Sequence, residues 1–178
     1  MKRVAVFGNA GGGKSQLSRQ LADLTGLPLH ILDKVQFQAG GVPVSPEEYR
    51  QAHAAIVAQD TWVIDGFGSL ETLWPRLEAA DTLVYIDLPL ARHFAWVTKR
   101  LVMGYFTPPP GWPENTPLLK SSLTSYQVLW LCHQKLTPKY REYVAKASAT
   151  KQVYHLRSAQ QIRDFLATLQ TAETPFQT

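Results

Sequence analysis

Eight residues near the amino terminus, Gly8-Asn9-Ala10-Gly11-Gly12-Gly13-Lys14-Ser15, constrain this chain more than any other stretch. They satisfy G-x-x-x-x-G-K-[ST], a pattern that carries meaning only between a strand and a helix. That context is present. Val4 to Phe7 is a short apolar run, and from Lys14 the leucines at 17, 21 and 24 recur at helical spacing. Glycines let the backbone curl so that successive N–H groups point at anionic oxygens, and the helix amino terminus adds favourable potential for the same anion. Lys14 is placed to reach the β and γ phosphates of a nucleotide, and the Ser15 hydroxyl to meet Mg²⁺. Gly8 to Ser15, with Gln16 beyond them, are therefore the expected contacts for ATP or a related triphosphate. The loop does not name a reaction, because the same device serves many chemistries.

The rest of the chain repeats the strand-then-helix alternation. Pro28 to Leu32, Trp62 to Ile64, Leu83 to Ile86 and Val153 to Leu156 read as strands, each followed by a helical pattern or a cap. Ser45-Pro46-Glu47-Glu48 opens a helix reaching about Gln59, with Ser45 as N-cap, and Ser158-Ala159-Gln160-Gln161 opens a last one carrying Ile162, Phe165, Leu166 and Leu169. Short continuous apolar strands imply a parallel sheet covered on both faces, a three-layer α/β sandwich with ligand at the carboxyl ends of its strands. At 178 residues and 45% hydrophobic content, one domain over 1–178 accommodates this without staples. Residues from about 103 to 118, with prolines at 108, 109, 110, 113 and 117, form an irregular segment between two helices that suits a lid, and 171–178 read as a frayed tail.

A single cysteine, Cys132, allows no internal bridge and suits a reducing, cytoplasmic setting. No apolar run is long enough for a bilayer span, so no membrane is expected. A net charge of +4 fits polyphosphate ligands and leaves nucleic acid possible without favouring it, since no Lys/Arg stripe with interleaved aromatics is present. The five histidines show no metal-ligand spacing. Tyr126, Trp130 and Tyr140 follow helical spacing and read most simply as core. Nothing in the pattern chooses between monomer and homodimer.

Asp65, after Trp62-Val63-Ile64 and before Gly66, puts a carboxylate at a strand end where a neighbouring phosphate loop would place Mg²⁺; a turn aspartate is the alternative. Trp62 to Gly68 resembles the Asp-Gly-Phe-Pro-Arg segment of adenylate kinases. A nearer resemblance is to the adenylate-kinase-like P-loop family known as DNA topology modulation proteins. It runs through Leu32-Asp33-Lys34-Val35-Gln36-Phe37, Asp65-Gly66, Arg76, Ala80-Asp81, Asp87-x-Pro89, Lys99-Arg100 and Gly111-Trp112-Pro113-Glu114. The resemblance implies a nucleoside-monophosphate-kinase-like P-loop NTPase fold and phosphoryl transfer from MgATP to a small acceptor, AMP first. It also admits a nucleotide-dependent DNA-associated regulator.

On that likeness Asp33 orients the acceptor or serves as base, or else simply caps a turn. Phe37, Asp65, Gly66 and Arg76 line the acceptor side. In the helix from about Leu90 the core stripe reads as Leu90, Phe94, Val97 and Leu101, leaving Arg92, Trp96 and Lys99 on another side. In adenylate kinases the corresponding helix sends one arginine to ATP and a second into the lid; Arg100 matches the second, and Trp96 stands where that family has the first, so it could stack on adenine, with a solvated basic face as the alternative for both. Asp87 reads mainly as a strand-to-helix junction. The Pro-rich segment contains no arginine, unlike an adenylate-kinase lid, which leaves Lys120, Lys135, Lys139 and Arg141 as regional cations, with Arg141 near the first turn of a helix begun by Thr137-Pro138. No Asn-Lys-x-Asp segment is present to read guanine.

Overall fold

The structure, a computed structural model, describes residues 1–38, 41–104 and 118–172. Five strands alternate with eight helices among them: β1 (Arg3–Gly8), α1 (Lys14–Thr25), β2 (Leu29–Ile31), α2 (Leu32–Gln36), α3 (Pro46–Val57), β3 (Trp62–Asp65), α4 (Leu70–Ala79), β4 (Thr82–Ile86), α5 (Leu90–Gly104), α6 (Leu118–Lys135), α7 (Thr137–Ala147), β5 (Gln152–Leu156) and α8 (Ala159–Ala172). The strands form one parallel sheet in the order β2-β3-β1-β4-β5.

Alternation along the strands assigns the two faces. Val4, Val6, Val63, Val84 and Ile86 meet Leu17 and Leu21 of α1 and Phe165 of α8 on one side. Ala5, Phe7, Trp62, Ile64, Leu83 and Tyr85 meet Leu73 and Leu77 of α4 and Tyr140 and Val144 of α7 on the other. Each such fully buried large side chain contributes about 1.5–3 kcal/mol of apolar burial. The sequence-based expectation of a five-stranded parallel α/β sandwich is met.

Register brings the carboxyl ends to one edge: Gly8 pairs with Ile86, Ile31 with Asp65, and Ile86 with Leu156. The expected second strand stops at Ile31, because Leu32 and Asp33 already belong to the one-turn helix α2. Ser45 caps α3 by accepting from the Glu48 N–H, and Ser69 and Thr72 form a reciprocal capping box on α4. Trp130 is not core: it lies on the outer side of α6, 48% exposed, while Tyr140 is buried and Tyr126 stacks on Phe94 at 5.7 Å. Most of the Pro-rich stretch expected as a lid, 105–117, the side chains of Arg100 and Lys120, and the tail 173–178 lie outside the described residues. Among the described residues no helix is long and apolar enough to cross a membrane.

Candidate active site

The loop from β1 to α1 closes directly over the sheet edge. Gly8 has φ +139°, and a Cβ there would stand 2.2 Å from the Ile86 carbonyl oxygen, so the chain leaves β1 by a path only glycine allows. Gly13, at φ +76°, is the N-cap of α1, and a Cβ on it would stand 2.7 Å from the Trp96 ring. Lys14 folds back across the loop, its Nζ donating to the Asn9 carbonyl at 2.7 Å. The Ala10 N–H is taken by Asn9 Oδ1 at 2.8 Å, and Asn9 Nδ2 donates to the Leu129 carbonyl at 3.0 Å. Gln16 is exposed in the first turn of α1.

Asp65 ends β3 beside this loop and is 1% exposed. Burial pushes its carboxyl above the usual range; Lys14, a hydrogen bond from Ser15 and Arg76 pull it down, and Asp33 pushes it further up. Oδ1 of Asp65 has no hydrogen-bond partner among the described residues. Asp33 is exposed at the start of α2, and a Cβ on Gly66 would lie 3.7 Å from its Oδ1. Lys14, Ser15, Asp33, Asp65 and Gly66, expected from three separate stretches, therefore converge.

Ser15 and Asp65 suit Mg²⁺: both offer hard oxygen donors, and one Asp65 oxygen is unsatisfied. No group of three or more His, Cys, Asp or Glu among the described residues could hold a metal by itself. A cation here would therefore complete its shell with water and phosphate oxygens, the usual habit of Mg²⁺.

Arg76 is 1% exposed, and Nη2 donates to the carbonyls of Gly66 at 3.1 Å and Phe67 at 3.4 Å, so it braces the loop after β3. Burial pushes its guanidinium pKa below the ordinary value, and Nε and Nη1 have no partner among the described residues. His53 of α3 lies in the same buried layer, its ring 5.9 Å from that of Tyr49, and burial with the nearby Arg76 charge lowers it from 6.5 to about 4. Phe37 is half-buried at the far end of α2, bridged to Pro43.

Arg141, exposed on α7, makes a two-pronged pair with Asp87, Nε to Oδ2 at 2.8 Å and Nη2 to Oδ1 at 3.0 Å. His155 Nε2 donates to the same Oδ2 at 2.9 Å. Burial pushes the Asp87 carboxyl up, but the bonds from Arg141 and His155 prevail and hold it below the usual range. Asp87 is thus more than a junction residue. It anchors a cation next to the strand end that pairs with Gly8. A cavity of about 470 Å³ lined by Asp87, Leu88, Pro89, Leu90, His133, Arg141 and Arg157 opens here.

His93 was absent from the expected stripe of α5, yet it is 2% exposed, and its Nδ1 lies 2.7 Å from the Ala10 carbonyl. Leu90 and Phe94 are only half-buried, Val97 is buried, and Trp96 is half-buried against Gly13. The inward face of α5 is His93-Trp96-Val97. A spacing signal was present, since 93, 96 and 97 are also one helical face, but two polar-capable residues concealed it.

A shikimate kinase from Acinetobacter baumannii, solved in complex with shikimate, superposes with a TM-score of 0.58 over 97% of this chain and 92% of that one, at 18% identity. A sugar kinase from Janibacter sp. HTCC2649 matches 97% of this chain and 91% of its own, also at 18% identity, with a TM-score of 0.47. No family model matches the chain, and no curated protein matches it. The first superposition shows the fold: a five-stranded parallel P-loop sheet of the kind found in that kinase.

Proposed function

We propose that this protein is a small-molecule kinase that moves the γ-phosphoryl group of ATP to a hydroxyl or phosphate oxygen of a small acceptor. The observation that carries the reading is the meeting of Lys14, Ser15, Asp65 and Asp33 at one sheet edge. The loop N–H groups and Lys14 bind the polyphosphate, and Arg141, anchored by Asp87, lies on the cation side. Asp33, exposed and across from Asp65, orients the acceptor. With a hydroxyl acceptor, its oxygen bonds to the γ phosphorus, the bond from γ phosphorus to the β–γ bridging oxygen breaks, ADP departs, and the proton passes to the Asp33 carboxylate. Ser15 and Asp65 would hold Mg²⁺, which would supply charge neutralisation for the polyphosphate. Arg100 and Trp96 remain candidates for the phosphate and base ends of the donor, and Phe37 and Gly66 for the acceptor wall.

A nucleoside monophosphate such as AMP is the first acceptor class to test. One observation brings a phosphate-free hydroxy compound forward beside it: Arg76, the cation suited to an acceptor phosphate, is buried beneath Gly66 and Phe67. An ADP-release assay with MgATP against AMP, other nucleoside monophosphates and hydroxy acids including shikimate, run beside Lys14→Ala, separates the two. Acceptor-dependent turnover lost in the variant establishes the kinase and names its class. Tight MgATP binding with no acceptor-stimulated turnover, joined by salt-dependent retention on duplex DNA, would replace it with a nucleotide-dependent DNA-associated role.

A further inference from the structure

The phosphate loop is held from outside by two helices, and its peptide planes alternate accordingly. Lys14 Nζ takes the Asn9 carbonyl, so the Ala10 N–H, on the opposite side of that trans peptide, points away from Lys14 and is caught by Asn9 Oδ1. The next peptide is turned the other way. Because the Ala10 carbonyl can only accept, His93 Nδ1 carries the proton and donates to it at 2.7 Å, pulling that oxygen toward α5. The Gly11 N–H of the same planar unit then faces away from α5, toward the hollow of the loop.

The rest of the α5 face seats the loop by contact. A Cβ on Gly12 would come within 3.0 Å of the His93 ring, one on Gly11 within 2.9 Å of Val97, and one on Gly13 within 2.7 Å of Trp96. From the other side, α6 accepts from Asn9 Nδ2 through the Leu129 carbonyl. The two helices are joined to each other by the stacked Phe94 and Tyr126 rings and by a 2.6 Å bond between the Thr98 and Tyr126 hydroxyls.

We propose that His93 is a positioning residue for nucleotide binding: by holding the Ala10 carbonyl it aims the Gly11 N–H at the phosphates, and with Asn9 it makes the α5–α6 pair the outer wall of the loop. The proposal rests on the reading that Gly8 to Ser15 bind a nucleotide polyphosphate. It adds a residue that touches no substrate and lies outside the loop motif. Preorganised donors bind an anion more tightly than donors that must first turn, which is why a bond on the far side of the loop reaches the ligand.

The test compares His93→Leu, which keeps apolar bulk but has no donor, with His93→Asn, whose amide nitrogen can stand where Nδ1 does. Asn9→Ala probes the second anchor, and cooperative thermal melts confirm that each variant is folded. Two readouts are taken on the full chain. Hydrogen exchange of the peptide spanning 8–16, without ligand, should accelerate several-fold in His93→Leu and in Asn9→Ala and return toward wild type in His93→Asn. Calorimetric Kd values for MgATP and for inorganic tripolyphosphate should both weaken about tenfold in His93→Leu and by no more than about threefold in His93→Asn. Unchanged exchange in His93→Leu, or equal loss of affinity in the Leu and Asn variants, overturns the positioning role. Accelerated exchange rescued by Asn, in a wild-type protein that binds neither MgATP nor tripolyphosphate, overturns the nucleotide reading and with it the stated consequence, while leaving the loop contact itself established.

Discussion

Replacing His53 by Phe should flatten the acid limb of the stability profile by about 2 kcal/mol. The ring is 5% exposed, sits against Tyr49, and has Nε2 without a partner among the described residues. Burial, with the Arg76 charge behind it, lowers its pKa from 6.5 to about 4. A depressed histidine is neutral in the native state and free to protonate when unfolded, so the unfolded chain binds more protons between those two values. Stability therefore falls as pH drops through 6.5 and stops falling at this site near 4. Between pH 7.5 and pH 5.0, linkage gives a loss of about 2 kcal/mol from this one ring. Phe fills a similar volume and removes the orphaned nitrogen, so at pH 7.5 the variant should match or exceed wild type. Urea unfolding at pH 7.5, 6.0 and 5.0 measures both chains. Burial also lowers His93, which contributes a slope of the same sign, so the quantity that matters is the difference between the two profiles. Parallel profiles, with the variant as acid-sensitive as wild type, would refute a buried neutral His53 and the coupling to Arg76.

Arg76→Met removes the donor to the Gly66 and Phe67 carbonyls together with the charge that depresses His53. The His53 titration followed by NMR should move upward, and exchange of the 65–68 amides should accelerate, while affinity for metal-free tripolyphosphate stays within about threefold because the phosphate loop is untouched. Asp87→Asn takes the carboxylate from between Arg141 and His155. Arg141 is 56% exposed at its side chain, so the pair is screened and Arg141→Ala should cost no more than about 1 kcal/mol. Asp87→Asn should cost more than that, since two partners lose one buried acceptor, and the comparison by urea titration at pH 7.5 decides whether Asp87 is an anchor or a bystander.

The parts of this molecule that could be read from sequence are those whose meaning is local. A glycine at Gly8 is demanded by its own φ and by the strand beside it, and the strand-loop-helix order around it follows from residue spacing alone. Asp65 could be placed because it terminates an apolar strand, and the sheet register then carries it to Ile31 and so to Asp33. Two misreadings have different causes. Asp33 looked as though it followed a strand, but Leu32 already turns into α2, a single turn too short to show a period. Trp130 looked like core because aromatic spacing reports a face without saying what covers it.

Arg76, Asp87 and His93 show the same limit from the polar side. Each is a chargeable residue 9% exposed or less, and a helix or strand end gives no sequence warning of it, because burial of a polar group is decided by partners far along the chain. Arg76 reaches carbonyls about ten residues back through Nη2 alone, Asp87 is held by Arg141 54 residues on, and His93 by Ala10 83 residues before it. These are also the contacts that set where the β1–α1 loop, the loop after β3 and Arg141 stand. The loop motif supplies the phosphate-binding chemistry, and the long-range polar contacts orient it. That division explains why the chain can share a P-loop sheet with a shikimate kinase at 18% identity while its selectivity would be written in residues outside the motif.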